Sequence, residues 1–220
     1  MMHTERAAFD LVGDDALLLH EFAHRTANEV AAAAAALRLA NRAKPASGAR
    51  LMESALWRLE AFGELNRILA RPVRRRVNVA ADLAAVCGAI ASGATAASRS
   101  EMRLSLPDTW IEGDTARRLV LVAVELVNNA VRHALDGRAG KLAVSLGVEG
   151  DDVVLVVSDD GTGVQPGARS SGTGLGRGIV SQLVDRGGGT VRMDTGPAGT
   201  RVRVAFPLPS VSDDARHTAF

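Results

Sequence analysis

Apolar residues recur at helical spacing through the first third of the chain. Residues 14–43 predict one long helix, with Asp14 or Asp15 as its N-cap and alanine and leucine in its interior. A loop is predicted from composition at residues 44–48, and a second helix from about Ala49 to Ala70. Two amphipathic helices joined by so short a loop form an antiparallel hairpin, which cannot bury both of its apolar sides. The pattern therefore predicts a four-helix bundle that is completed by a second copy of the chain.

The apolar sides of these two helices give the predicted core positions of the hairpin. On the first helix, at about 100° per residue, they are Leu18, Leu19, Phe22, Thr26, Val30, Ala33, Leu37 and Ala40. On the second helix they are Leu51, Ala55, Leu59, Phe62, Leu65 and Leu69. Glu21, His24 and Asn28 lie on the opposite side of the first helix, so we expect them to be exposed.

The pattern becomes mixed after the hairpin. A helix is predicted from Asn78, its cap, to about Ser92, and another helix begins near Asp114. Alternation of apolar residues predicts strands, while the continuous apolar run that begins at Asp152 predicts a strand at the centre of a sheet. The predicted strands lie at 102–106, 142–146, 152–157, 191–193 and 202–206. Together they predict an α+β protein in which helices cover a mixed, largely antiparallel sheet.

These changes of pattern divide the chain into an N-terminal extension (1–13), the helical hairpin (14–76), the mixed domain (77–207) and a tail (208–220). The basic run Arg71–Arg76 ends the hairpin, because Pro72 stops the helix. We interpret this run as a solvated hinge. The alternative is a patch for a phosphorylated or acidic partner.

Composition bounds the function of the chain. Of 220 residues, 47% are hydrophobic and 23% charged, which is typical of a soluble folded protein. A net charge of +1 and an aromatic content of 3% favour no nucleic-acid partner. Cys87 is the single cysteine, and we expect it in the core of a protein from a reducing compartment. No apolar run suggests a signal peptide or a membrane partner, so we expect a cytoplasmic protein.

A polar seam runs along the helix that begins near Asp114. Residues three or four apart share a helix face, which groups Glu125, Asn129 and His133, or Glu125 with Asn128 and Arg132. Adjacent asparagines are unfavourable in mid-helix, and a metal–phosphate site would explain them because hard cations bind amide oxygens. A solvated helix face is the alternative.

The segment Asp159–Gly163 follows the predicted central strand directly. The Asp159 carboxylate can accept a hydrogen bond from an exocyclic amine, and Gly161 and Gly163 let the backbone approach a flat ring. An ordinary Asp-Gly turn is the alternative.

A second glycine-rich segment, Gly172–Gly178, precedes a predicted helix at 179–184. Free N–H groups before a helix bind phosphate, and the helix dipole adds to the attraction. Because residues 164–171 form a polar loop rather than a strand, the segment does not predict a Rossmann fold.

The order of these motifs over residues 78–206, ending in Gly199-Thr200, resembles the GHKL ATPase superfamily of histidine kinases, gyrase, Hsp90 and MutL. The resemblance implies a Bergerat-type α/β sandwich that binds ATP and Mg²⁺, with Asn129 as the metal ligand, Asp159 on the adenine amine, and an ATP lid at 162–171. The implied nucleotide contacts are Glu125, Asn129, Arg132, His133, Asp159, Gly161, Gly163, Gly172, Gly174, Leu175, Gly176 and Thr200.

Glu21-Phe-Ala-His-Arg-Thr-Ala-Asn28 resembles the phosphoacceptor box of histidine kinases in which arginine follows the histidine, a subfamily allied to the HWE kinases. Ala27, where a lysine is common, and Thr26, where an aliphatic residue is usual, depart from that box. The chemistry also follows from the residues, since a neutral imidazole is a nucleophile toward phosphorus. Asn28 can orient the His24 ring, and Glu21 can accept the other ring proton.

The resemblance implies a homodimeric histidine kinase that phosphorylates His24 from ATP and passes the phosphoryl group to an aspartate of a response-regulator receiver domain. Because no sensor domain is expected before Asp14, a separate sensor protein is the expected source of the signal. One alternative is a histidine phosphotransferase whose GHKL-like domain does not use ATP, which the intact Asn129 and Asp159 disfavour. The other is an anti-sigma serine kinase-like switch, which the His-Arg box disfavours.

Overall fold

The computed structural model describes residues 30–98, 100–131, 139–163 and 175–209. These residues divide into two packed units. The first contains residues 30–71 and 88–97, and the second contains the remaining described residues, beginning at Pro72.

Two helices dominate the first unit. Helix α1 covers residues 30–40, and helix α2 is Pro45–Leu69. The loop predicted at 44–48 is therefore wrong, because α2 already begins at Pro45. Lys44 has an extended conformation (φ −64°, ψ 149°) and acts as the N-cap, and its carbonyl accepts from the N–H groups of Ser47 (2.9 Å) and Gly48 (2.8 Å). Proline suits the first position of a helix because its φ is already helical and the missing N–H has no partner there.

The apolar sides of α1 and α2 are only partly covered within the first unit. Ala33, Ala55 and Leu65, all predicted core positions, are buried. Three larger predicted core residues keep much of their surface exposed, namely Val30 (50%), Leu37 (45%) and Leu59 (39%).

The second unit is built on a five-stranded sheet with the order β2-β4-β5-β7-β6. Its strands are β2 (Glu101–Ser105), β4 (Lys141–Glu149), β5 (Asp152–Asp159), β6 (Thr190–Gly196) and β7 (Gly199–Pro207). Only β2 and β4 are parallel, and the other neighbours are antiparallel. The predicted α+β class with a mixed, largely antiparallel sheet is confirmed.

The central strand β5 has both faces covered, as its continuous apolar run predicted, and residues 153–157 are all buried. On one face, Val157 pairs with Val144 of β4 and Val202 of β7, and all three side chains are buried. Helices α4 (Gly113–Asn129) and α5 (Leu175–Arg186) pack against β5 and β7. On the other face, Val154, Val156 and Ala205 form a smaller buried cluster.

Helix α4 lies where the sequence predicted a helix. It begins at Gly113, one residue before the predicted start, and carries Val120, Leu121, Val124 and Val127 on its buried side. This buried side attaches the helix to the sheet. The opposite side carries Glu125 and Asn129, both of which are half-buried.

Helix α3 (Val79–Ser98) begins as predicted but runs beyond the predicted end near Ser92. Asn78 caps it, because its Oδ1 accepts from the N–H groups of Ala80 and Thr109, both at 3.2 Å. The Asn78 amide nitrogen also donates to Asp108 Oδ1 (2.8 Å). Asn78 therefore fixes the helix start to the loop that contains Asp108 and Thr109.

A two-stranded sheet of β1 (Val77–Asn78) and β3 (Trp110–Ile111) was not predicted. It attaches the end of the basic segment to the second unit, and Arg76 Nη2 donates to the Trp110 carbonyl (2.7 Å). The segment 71–76 is exposed, as expected for a solvated linker.

The chain leaves β7 at Pro207, and the Leu208 N–H donates to the Asp151 carbonyl (2.7 Å). In the part of the chain that the structure describes, no helix combines the length and the apolar character needed to cross a membrane.

Candidate functional site

The polar seam of α4 brings Glu125 and Asn129 together, one helical turn apart. The Asn129 amide nitrogen donates to Glu125 Oε1 across 3.4 Å, a long hydrogen bond. This bond uses the amide nitrogen and not the amide oxygen, and such an oxygen is a suitable ligand for a hard cation. Arg132 and His133, predicted on the same face, lie outside the described residues.

Nowhere in the four described ranges do three or more His, Cys, Asp or Glu side chains gather as a metal site. A Mg²⁺ ion at Asn129 would therefore need oxygens of another kind. Mg²⁺ commonly keeps several waters and binds through one or two protein groups together with substrate phosphates. The donor set thus fits a metal that arrives with a nucleotide.

Asp159 stands at the carboxyl end of β5, and the backbone holds its side chain in place. Its Oδ1 accepts from the Gly161 N–H (2.9 Å) and from the Thr200 N–H of β7 (3.2 Å). These bonds fix the orientation of a half-buried carboxylate at the end of the central strand. A carboxylate held in this way can accept a hydrogen bond from a ligand amine in one defined orientation.

The neighbouring Asp160 ties the same segment to β4. Its Oδ1 accepts from the Lys141 N–H (2.8 Å), and its own N–H donates to the Lys141 carbonyl (3.1 Å). No role for Asp160 was predicted from the sequence. The doubled aspartate was the only local signal for it.

Two glycines have close contacts with neighbouring backbone. Gly163 has φ +66°, and a Cβ there would overlap the carbonyl of Gly196 in β6. Gly199 has φ +121°, and a Cβ there would overlap the carbonyl of Asp159. The end of β5 and the β6–β7 turn therefore meet backbone to backbone, which only glycine allows. Gly161, between these contacts, is buried.

Thr200 joins this group through both its backbone and its side chain. Its hydroxyl lies 3.2 Å from the hydroxyl of Thr195, its cross-strand neighbour in β6. Thr195 was not predicted from the sequence as part of this group. The register of a hairpin turning at Gly196–Gly199 would have paired these two residues.

The glycine-rich segment differs from its prediction at one point. Helix α5 begins at Leu175, so Leu175, Gly176 and Gly178 belong to the helix, and the predicted start at Ile179 is too late. The buried side chains of Val180, Leu183 and Val184 anchor the helix, which outweighs the roughly 1 kcal/mol that a glycine costs in a helix. Gly172 and Gly174 lie outside the described residues.

The predicted acceptor histidine His24 and its neighbours Glu21 and Asn28 also lie outside the described residues. The structure thus brings together Asp159, Gly161, Gly163 and Thr200, and separately Glu125 with Asn129. The two groups stand on β5–β7 and on α4, which packs against β5.

Comparison with known families covers the part of the chain that carries both groups. The family described as histidine kinase-, DNA gyrase B- and HSP90-like ATPase matches residues 114–210. We call residues 114–210 the ATPase-like region because of this similarity. This region contains the described members of both groups, from Glu125 to Thr200.

Individual relatives extend the comparison beyond the ATPase-like region. The sensor histidine kinase PdtaS of Mycobacterium tuberculosis is 28% identical over 205 residues, which are 90% of this chain and 40% of PdtaS. The chain therefore spans less than half of the length of that relative. PdtaS is a similar protein whose match also includes most of the chain before residue 114.

Solved structures share the fold. The histidine kinase domain of the blue-light activated histidine kinase EL346 from Erythrobacter litoralis aligns with a TM-score of 0.57 at 23% identity, over 72% of this chain and 75% of that one. A bacterial phosphotransferase aligns with a TM-score of 0.58 at 14% identity, over 88% of this chain and 96% of that one. At these identities the likeness shows the fold alone.

The ATPase-like region has side chains suited to a purine nucleotide. The fixed Asp159 carboxylate is an acceptor for an amine. Thr200, whose backbone N–H is bonded to that carboxylate, has a hydroxyl that can donate or accept. The Asn129 oxygen is a ligand type for the magnesium ion that accompanies phosphates. These groups therefore fit ATP and Mg²⁺.

Proposed function

We propose that this chain is a two-component histidine kinase, which phosphorylates His24 from ATP and passes the phosphoryl group to an aspartate of a response-regulator receiver domain. The observation that carries the proposal is the match to PdtaS over 90% of the chain, which extends beyond the ATPase-like region into the N-terminal helices. A kinase of this kind needs both a nucleotide site and a separate phosphoacceptor helix.

In this proposal the N-terminal helices form the dimerisation and phosphotransfer hairpin, residues 14–76. Residues 77–207 form the catalytic ATP-binding domain, and 1–13 and 208–220 flank the two. The exposed apolar residues Val30, Leu37 and Leu59 support a homodimer, because a four-helix bundle with a second copy would cover them.

The nucleotide contacts of the proposal divide by chemistry. Asp159 accepts from the adenine amine, with Gly161, Gly163 and Thr200 around the base. Asn129 binds Mg²⁺, which neutralises phosphate charge, and Glu125 orients the Asn129 amide through the observed hydrogen bond. The phosphate contacts are Arg132, His133, Gly172, Gly174, Leu175 and Gly176, with the lid at 162–171.

His24 is the nucleophile. Its neutral ring nitrogen forms a bond to the γ-phosphorus as the bond from that phosphorus to the bridging oxygen breaks, and ADP leaves. Glu21 takes up the proton of the other ring nitrogen, and Asn28 holds the ring in orientation. A receiver aspartate then attacks phosphohistidine, which restores the imidazole.

The His24-Arg25 pair supports membership of the HWE-allied subfamily. The proposal keeps the cytoplasmic location predicted from the sequence. A likeness at 14% identity to a phosphotransferase does not favour a function without ATP, since it shows the fold alone.

Incubation of the purified chain with γ-labelled ATP and Mg²⁺ tests the proposal. We expect acid-labile, base-stable label on wild type and on His20→Gln, and no label on His24→Gln. His20 is a matched control because the helix predicted from the sequence places it one turn from His24 on the same face. We also expect Asn129→Asp to abolish labelling.

The alternatives predict other patterns of label. No label from ATP, combined with label accepted from a phosphorylated receiver, would show a phosphotransferase. Label that survives in His24→Gln and resists acid would indicate a serine kinase-like switch and would remove His24 as the acceptor.

A further inference from the structure

Thr195 and Thr200 face each other across the β6–β7 hairpin, and their hydroxyl oxygens are 3.2 Å apart. Thr195 has no part in the nucleotide contacts proposed above. A hydrogen bond between two hydroxyls has a direction, because one donates its proton and the other accepts. That direction decides whether the Thr200 hydroxyl donates its proton to Thr195 or can donate it to a ligand.

The backbone around the pair is held firmly. The Thr200 N–H donates to Asp159 Oδ1 (3.2 Å), so the residue that carries the second hydroxyl is anchored on the candidate amine acceptor. On the other strand, Gly196 follows Thr195 and lies against Gly163. Between the strands, Gly199 lies against the Asp159 carbonyl. The two hydroxyls are therefore presented by a turn with little freedom to shift.

The chemistry of adenine requires a particular direction. Its exocyclic amine is a donor, which suits a carboxylate, and the ring nitrogen beside the amine, N1, is an acceptor. A hydroxyl placed next to the amine acceptor must donate in order to bind N1. The Thr200 hydroxyl has one proton, so it can donate outward only when that proton is not donated to Thr195. The bond between the two hydroxyls must then run from Thr195 to Thr200.

We infer that Thr195 is a positioning residue for nucleotide recognition: it donates to Thr200 and so directs the Thr200 proton toward the adenine ring nitrogen. The inference rests on the proposed function, in which ATP binds at Asp159. A bound base would shield this exposed pair from water, and a hydrogen bond that water does not compete for is stronger.

Thr195→Val tests the inference, because valine keeps the shape of threonine and removes the hydroxyl. Thr195→Ser keeps the hydroxyl, and Thr190→Val is a matched control at the other end of β6, where residue 190 pairs with Ala205. The measurement is calorimetric titration of each purified full chain with Mg²⁺ and ATP, or with Mg²⁺ and 1-deaza-ATP, in which a C–H replaces N1. Circular dichroism confirms that each variant is folded.

We expect Thr195→Val to weaken ATP binding about three- to tenfold, because the Thr200 hydroxyl is no longer oriented to donate to adenine N1. Thr195→Ser and Thr190→Val should bind ATP like wild type. Binding of 1-deaza-ATP should be the same in wild type and Thr195→Val, because the analogue offers no ring acceptor at this position.

Two results would overturn the inference while leaving the proposed function intact. One is unchanged ATP affinity in Thr195→Val, and the other is an equal loss for ATP and 1-deaza-ATP, which would mean general damage to the turn. A wild-type chain that binds no ATP would overturn both the inference and the proposed function.

Discussion

The backbone N–H of Thr200 donates to Oδ1 of Asp159 across the β5–β7 pair, at 3.2 Å. The Gly161 N–H donates to the same oxygen at 2.9 Å. Asp159 therefore stabilises the local backbone and, in the proposed function, also binds adenine. Substitutions can separate its effect on stability from its effect on ATP binding.

Asp159→Asn should keep the fold and lose the ligand. Asparagine retains an oxygen for the two N–H groups but lacks the charge that strengthens a bond from an amine. We expect the free energy of unfolding to change by less than about 1 kcal/mol and ATP affinity to fall at least about tenfold. Asp159→Ala should lose about 1–3 kcal/mol of stability as well, because both N–H groups lose their acceptor. Urea denaturation and calorimetric titration measure the two effects; wild-type affinity in Asp159→Asn would contradict the role.

Gly199→Ala should destabilise the second unit more than Gly150→Ala. Both glycines have positive φ, +121° for Gly199 and +61° for Gly150, but only Gly199 lies against another segment, the Asp159 carbonyl. Alanine at Gly150 costs about 1 kcal/mol of backbone strain. At Gly199 the overlap adds to the strain, and we expect a total loss above about 3 kcal/mol. Thermal unfolding followed by circular dichroism compares the two, and equal shifts in melting temperature would refute the close approach.

Asn78→Ala should cost about 2 kcal/mol of unfolding free energy, since it removes both the helix cap and the acceptor for the Thr109 N–H. Asp108→Ala is the matched control because it removes only the exposed third bond of Asn78. That control should cost less than about 1 kcal/mol. Denaturant titration of both variants decides the matter, and losses of the same size would show that the cap contributes little.

Burial raises the pKa of the Cys87 thiol from 9.0 to about 12. The unfolded chain therefore ionises its thiol first, and the stability that the neutral buried thiol contributes is present below pH 9 and is lost as pH rises toward 12. We expect the unfolding free energy of wild type, minus that of Cys87→Ala, to fall by up to about 1.4 kcal/mol per pH unit above this onset. Denaturation between about pH 8 and 10.5 tests this, and parallel curves for the two proteins would disprove it.

Elements could be predicted from the sequence where burial of one or both faces determines which positions are apolar. Strand β5, with both faces covered, reads as a continuous apolar run, and α4 reads as an amphipathic helix because its Val120 side lies on the sheet. Asn78 was predictable as a cap for a local reason, since a capping side chain binds an N–H two residues further along the chain.

The parts that were missed depend on contacts between distant residues or on context. Strands β1 and β3 have two residues each, too few for any periodicity, and exist because they pair with each other. The start of α2 was placed too late because proline and glycine at 45–48 are typical of loops, while proline is equally suited to a first helical turn. The Thr195–Thr200 pair could not be predicted without knowing the register of β6 against β7.

The contact between Gly163 and Gly196 has a consequence for building chimeric proteins. Gly163 stands directly before the loop predicted at residues 164–171, and its backbone lies directly on that of Gly196 at the β6–β7 turn. Any segment grafted in place of that loop must start from a direction that Gly196 imposes. A graft taken together with its own β6–β7 turn should therefore succeed more often than the same graft taken alone.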